Sequence, residues 1–182
     1  MKKIYTVLAA ALLAAAALGV TQQRGRQEQA RPTPKQPATV VGIFDSRAVA
    51  VAYVRSNRFN THITELQNLL QQAQESGDEE AVAMLQAEGP RLQAQVHRQA
   101  FGKESVEGIL EHVRGKLPEL CKEKGVEILI SKWAVTYRTP TAKLVDVTRD
   151  MAQLFNPDEE TREVIRELLK TKPLSNEELD EQ

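Results

Sequence analysis

The chain has 182 residues, with 24 Lys and Arg against 25 Asp and Glu and a net charge of −1. That length allows one domain plus tails, and the near-neutral balance gives no general electrostatic reason to bind nucleic acid. Aromatic residues make up only 4% of the sequence, so a core must be built from aliphatic side chains, and the single cysteine, Cys121, excludes an intramolecular disulfide framework or a multi-cysteine zinc site.

Residues 1–19 have the parts of a secretory signal peptide: Lys2 and Lys3, then an Ala- and Leu-rich run, then small residues at Ala17 and Gly19. Cleavage after Gly19 is one outcome and retention as an uncleaved anchor is the other, since the apolar run approaches the lower limit of a membrane span. Either way the remainder is exported to the periplasm or another part of the cell envelope. Without Lys2 and Lys3 the balance is 22 basic against 25 acidic residues, or −3. Residues 20–38, rich in Gln, Pro and Arg without apolar periodicity, read as a flexible linker. Arg24, Arg26 and Arg31 could make a peripheral contact with anionic lipid or simply be solvated.

The main domain is expected over 39–155, beginning with a strand at Thr39–Phe44. Asp45 or Ser46 can cap the helix that follows. An apolar stripe runs from Val49 and Tyr53 through Phe59, Ile63, Leu66, Leu70 and Ala73, with a slip or restart near Asn57. Gly77-Asp78 joins a stop signal to a start signal, and Gly89-Pro90 repeats that punctuation before Leu92 and Val96. The expected layout is two antiparallel arms spanning about 46–124, with their tip between Gly77 and Pro90. Gly102 is expected inside the return arm, where a glycine costs about 1 kcal/mol relative to alanine and gives a hinge. A further stripe, Val106 to Leu120, is interrupted by Pro118, which kinks or restarts that helix.

Val126 to Thr148 is the most informative run. Leu129, Trp133, Val135 and Tyr137 share one parity opposite Val126, Ile128 and Ile130, the pattern of a long strand with a buried face. Arg138-Thr139-Pro140-Thr141 breaks it, and Leu144–Val147 resumes as a shorter strand. Trp133 reads as a core or subunit-interface residue, with an exposed binding anchor as the other reading. Leu129–Tyr137 carries more apolar surface than one short hairpin needs, and open sheet edges invite self-association. Helices are expected from Thr148 and from Asn156-Pro157-Asp158-Glu159, with a capping box at Ser175–Glu178 and frayed acidic residues at the end. Residues 156–182 form an acidic helical C-terminal extension. The fold class is therefore α+β: a small β-sheet body with an inserted antiparallel helical hairpin and C-terminal helices.

Chemistry is not nominated. His62, His97 and His112 are scattered, and His62 with Glu65 reads as a solvated helical pair. Cys121 reads as a small buried thiol, and Ser46, Ser105 and Ser131 lack a nucleophile-elbow context. No catalytic, cofactor-binding or metal-binding residue is assigned.

The runs VVGIFDSRAV at Val40–Val49, GVEILISKWAVTY at Gly125–Tyr137 and LVDVTRDMAQL at Leu144–Leu154 resemble the Skp/OmpH family of periplasmic chaperones. That resemblance implies a homotrimer whose sheets join in a central body. It also implies helical arms that hold unfolded outer-membrane proteins without ATP, cofactor or catalysis. The chain departs from the family in its shorter arms, its lack of a strongly basic character and its acidic extension. The expected function is an exported holdase-type chaperone for unfolded or partly folded envelope proteins. Its client surface would include Leu66, Leu70, Met84, Leu85, Leu92 and Val96, and its oligomer or sheet core Leu129, Trp133, Val135 and Tyr137. The alternative is an envelope scaffold or adaptor without chaperone activity.

Overall fold

The structure, a computed structural model, describes residues 39–181. The signal segment and linker expected over 1–38 lie outside the described residues. Three strands, β1 (Val41–Phe44), β2 (Ile128–Ser131) and β3 (Leu144–Asp146), form one sheet in the order β2-β1-β3. Both outer strands run parallel to β1, with Val41 opposite Ile128 on one side and Leu144 on the other. The hairpin reading of the last two strands is therefore corrected: β2 and β3 flank the first strand and do not pair with each other. The parallel β1–β2 pair follows from connectivity, because the whole helical region lies between those strands as a crossover.

Helix α1 (Ser46–Val54) is the centre of the core. Ser46 through Tyr53 are all buried, as expected for a helix that is apolar around most of its circumference. Ser56 then caps α2 (Asn57–Ser76) by accepting from the Phe59 N–H, so the stripe restarts at Asn57. Tyr53 joins the two helices: its ring meets Phe59 and Phe155 edge-on and stacks on His112. Its hydroxyl lies 3.2 Å from His112 Nε2. Burial, then the neighbouring charges of Arg58 and His62, holds the His112 imidazole below its ordinary value of 6.5.

Gly77 closes α2 in the left-handed region at φ 72°, where a Cβ would be strained. Asp78 then caps α3 (Glu79–Phe101) through the Ala81 N–H. The tip is thus Gly77-Asp78 alone. Gly89-Pro90 does not restart the helix, because α3 runs through Pro90 without a break. At 1.5 Å per residue α2 spans about 30 Å and α3 about 35 Å. The return path ends at Phe101 and resumes as α4 (Glu107–Glu111), a 3₁₀ turn at Arg114–Lys116, and α5 (Leu117–Lys124). Pro118 sits in the first turn of α5, where its missing N–H costs nothing, so it restarts the helix. Cys121 is half-buried.

After β3 come α6 (Thr148–Gln153), α7 (Glu159–Leu168) and α8 (Asn176–Asp180). Asp158 caps α7, and Asn156 takes a left-handed φ of 54°, so the cap falls two residues later than the expected Asn156. The Ser175–Glu178 capping box forms as expected. The α8 segment is docked: Leu179 is buried, and the Leu174 N–H donates to the Phe101 carbonyl at 2.9 Å, while Asp180 and Glu181 are exposed.

Gly102 is accordingly not a hinge inside a helix. It is the buried C-cap of α3, and a Cβ there would lie 2.7 Å from both the Arg98 carbonyl oxygen and Leu179 Cδ1. The backbone oxygen cannot yield, so Gly102→Ala is expected to destabilise the protein by about 1–3 kcal/mol, the usual cost of overpacking. Hydrogen exchange at Leu174–Leu179 should rise in the same variant. Urea denaturation and exchange check this; unchanged stability would mean that α3 and α8 separate without cost.

Candidate functional site

Two places in the fold gather distinctive side chains: a buried polar knot beside the sheet and an apolar groove along the arms. The knot starts at Asp45, which must leave β1 and begin α1. Its carboxylate is fully buried and caps the helix by accepting from the Arg47 N–H at 3.0 Å. Arg47, also buried, donates from Nε and from a terminal nitrogen to the two carboxylate oxygens at 3.1 and 2.9 Å. The same terminal nitrogen reaches the Thr171 carbonyl at 3.1 Å. Lys132 Nζ lies 2.8 Å from Asp45, and Trp133 Nε1 donates to it at 3.2 Å. The Asp45 N–H in turn donates to Thr148 Oγ1. Burial pushes the Asp45 carboxyl up, but the hydrogen bonds and charges of Arg47 and Lys132 outweigh it and leave the group below its ordinary value. The knot therefore ties β1, the segment after β2, the start of α6 and the chain beyond α7 to the base of α1. Both carboxylate oxygens of Asp45 are committed to donors within the chain, so the arrangement is a structural lock.

This lock decides the fate of the expected long strand. Pairing stops at Ser131, whose Oγ accepts from the Trp133 N–H, and Lys132–Ala134 form a 3₁₀ turn. Trp133 is half-buried above the knot, with Lys132 Nζ 4.4 Å and the Arg47 guanidinium 5.2 Å from its ring centroid. The sheet-core reading of Trp133, Val135 and Tyr137 is corrected accordingly. Of the four residues, Leu129 alone lies on a strand, packed against the core. Val135 is half-buried beyond the turn, and Tyr137 is 79% exposed.

The groove lies between α2 and α3. Its volume is about 550 Å³, and Leu66, Leu70, Leu85, Leu92 and Val96 all line it. Met84 does not: it is 68% exposed on another face of α3. Sequence reasoning left out Val54, Phe59 and Ile63, which extend the apolar lining toward the body, and Gln67, Gln86 and Gln93. Phe59 and Ile63 belong to the α2 stripe and could have been read from it. The glutamines could not, because their facing depends on how the two helices pack. Among the described residues no charged side chain lines the groove.

Among the described residues no group of three or more His, Cys, Asp or Glu side chains converges to hold a metal ion. No helix there is long and apolar enough to cross a membrane. Compared with family models, with curated proteins and with solved structures, the chain finds no match.

The knot makes a pH prediction. A folded-state carboxyl held below its unfolded value of 3.8 gives stability that is present above that pH and is lost as pH falls through the lower folded value. Asp45→Ala, which strands buried Arg47, is expected to cost about 3–5 kcal/mol at pH 7. The gap between wild type and variant should stay constant down to about pH 5 and narrow below 3.8. Urea midpoints from pH 7 to 3 measure it; a gap that widens on acidification would contradict the assigned direction.

Proposed function

We propose that the protein is an exported, ATP-independent holdase that keeps unfolded or partly folded envelope proteins from aggregating, in the manner of the Skp/OmpH chaperones it resembles. One observation carries this reading: the two arms hold an open groove about 550 Å³ in volume, lined mainly by apolar side chains with three glutamines and, among the described residues, no charged one. A soluble helical hairpin with no client would be expected to close such a seam with its own side chains. Here Leu66, Leu70, Leu85, Leu92 and Val96 are only half-buried. Burial of apolar surface is worth about 25 cal/mol per Å², so such a groove gives weak, adaptable binding without nucleotide-driven release. The arms are rooted in the body through α1, Tyr53 and the Asp45 knot, which fix the spacing of the groove walls at its inner end.

Self-association belongs to the same reading. Among the described residues strands β2 and β3 each pair on one side only, leaving two edges that copies of the chain can cover, with three copies implied by the family resemblance. Trp133→Asp is a poor probe of such contacts, because it would break the knot within one chain. Sedimentation of the mature protein at micromolar concentration is the direct measurement, and a monomer throughout would remove the trimer.

Purified mature protein should suppress aggregation of an unfolded outer-membrane barrel at stoichiometric levels without nucleotide. Leu66→Asp with Leu92→Asp places two charges in the groove and is expected to raise the protein needed for half-suppression by about tenfold, the equivalent of losing 1.4 kcal/mol of binding. Helix content by circular dichroism checks that the arms persist. Absence of suppression across several clients would reject the holdase and favour an adaptor with a single fixed partner, which envelope crosslinking would then identify.

A further inference from the structure

We propose that Lys172–Glu181 is a releasable strap seated on a docking site at the root of α3. The same site takes, in the strap's place, a short acidic helical segment of a partner protein anchored by one leucine. The strap itself displays what the site accepts. Gly102, at the C-cap of α3, has a φ of −100°, outside the left-handed region, so what the position requires of a glycine is space. Leu179 takes part of that space: a Cβ on Gly102 would stand 2.7 Å from Leu179 Cδ1. Upstream, the Leu174 N–H donates to the Phe101 carbonyl at 2.9 Å, a carbonyl that α3 leaves open because the helix ends there. Leu179 and Asp180 share a cleft of about 740 Å³ with Arg98, Lys103 and Glu104. Arg98 pairs with Glu104 at 2.7 Å, so Lys103 is the cation left to face an acidic occupant.

The strap carries the matching chemistry in little more than one turn of helix. Ser175 and Glu178 form the reciprocal capping box, so the turn arrives with its first N–H groups already satisfied. Leu179 is the single buried side chain between Lys172 and Glu181, and Glu177, Glu178, Asp180 and Glu181 make the segment acidic. A leucine-sized gap, a bare carbonyl and a lysine select an occupant with three features: an apolar anchor, a free N–H upstream of it and a carboxylate beside it.

Three observations make the strap releasable. One anchor side chain holds it, and the Arg98 guanidinium in the same cleft pairs with none of its four carboxylates. The cleft stays open behind it, so lifting it parts no close-packed core. The hinge lies at Lys172-Pro173, just beyond the Thr171 carbonyl that Arg47 holds at 3.1 Å, so the strap can leave while the Asp45 knot stays closed. A site covered this lightly is open to competition, with the competitor's affinity reduced by the fraction of time the strap is closed. A second copy's strap is the less suited occupant. From Thr171 to Leu174 the chain reaches at most about 10 Å, so exchange would force the two bodies together.

The test uses the full mature protein and a labelled peptide of sequence KPLSNEELDEQ, read by fluorescence anisotropy. Leu179→Ser removes the anchor within the chain and leaves the strap lifted. That variant should bind the peptide about tenfold more tightly than wild type, as for a strap closed about nine-tenths of the time. The peptide with serine for its second leucine should not bind, and Lys103→Glu added to Leu179→Ser should weaken binding about tenfold. Equal binding by wild type and Leu179→Ser overturns the proposal, as does no binding by a Leu179→Ser protein whose circular dichroism matches wild type. Hydrogen exchange on wild type covers a Leu179→Ser chain that fails to fold. The Leu174 and Leu179 amides should exchange by local opening, at least about tenfold faster than the α1 amides and insensitive to low urea. Exchange only through global unfolding makes the segment part of the core and overturns it. Sedimentation in which wild type associates and Leu179→Ser does not would assign the site to a second copy, which overturns it too. None of these readouts involves aggregation suppression or the groove between α2 and α3.

Discussion

A single buried carboxylate sets the conditions for the rest of the structure. Asp45 sits where β1 ends and α1 begins, with none of its surface exposed. An ionised carboxylate in that position must be surrounded by donors, since an unpaired charge in a protein interior costs several kcal/mol. Arg47 satisfies it bidentately from one side, and Lys132 and Trp133 satisfy it from the segment after β2. The strand β2 ends because of this. Consecutive residues of a strand point to opposite faces, so Lys132 and Trp133 could not both reach Asp45 from extended backbone. The 3₁₀ turn capped by Ser131 brings both side chains to the same carboxylate.

The same knot connects the body to the arms. Arg47 also holds the Thr171 carbonyl, and the chain then returns along the base of α3, where Leu174 bonds Phe101 and Leu179 covers Gly102. Residues beyond Asn156 therefore help hold the root of the arm as well as covering α1. The helical hairpin leaves that root as two well-capped helices meeting at Gly77-Asp78. With the root fixed on both helices, the arms keep a separation at which their apolar stripes face each other across the groove between them.

That geometry gives the functional proposal its physical content. A groove with apolar walls, glutamine amides and no ions is suited to binding that is weak per contact and indifferent to nucleotide. It differs from capture by opposite charge, for which the near-neutral composition offers little means. The Asp45 lock and the groove divide the work, with one holding the arm base and the other presenting the surface.

The sequence by itself determined the local elements whose signals are short-range. The α2 stripe, the Asp78 and Ser175 caps, the Gly77 stop, the first and last strands and the α+β class are all carried by neighbouring residues, and they appear where the residues place them. Leu66, Leu70, Leu85, Leu92 and Val96 meet in one groove because two stripes on antiparallel helices face each other, and that too follows from periodicity. Tertiary structure alone decided what depends on partners distant in the chain. Alternation over Leu129–Tyr137 reads as strand, yet the demand of Asp45, nearly ninety positions away, turns the chain at Lys132 and leaves Tyr137 in solvent. Gly102 reads as a loose point in a helix, but it is a cap with no room for a Cβ because Leu179 packs on it. Met84 has the spacing of an apolar residue on a helix and faces away from the groove. In each case the deciding force, whether satisfying a buried charge, close packing or the rotation of one helix against another, acts between segments that no local pattern connects.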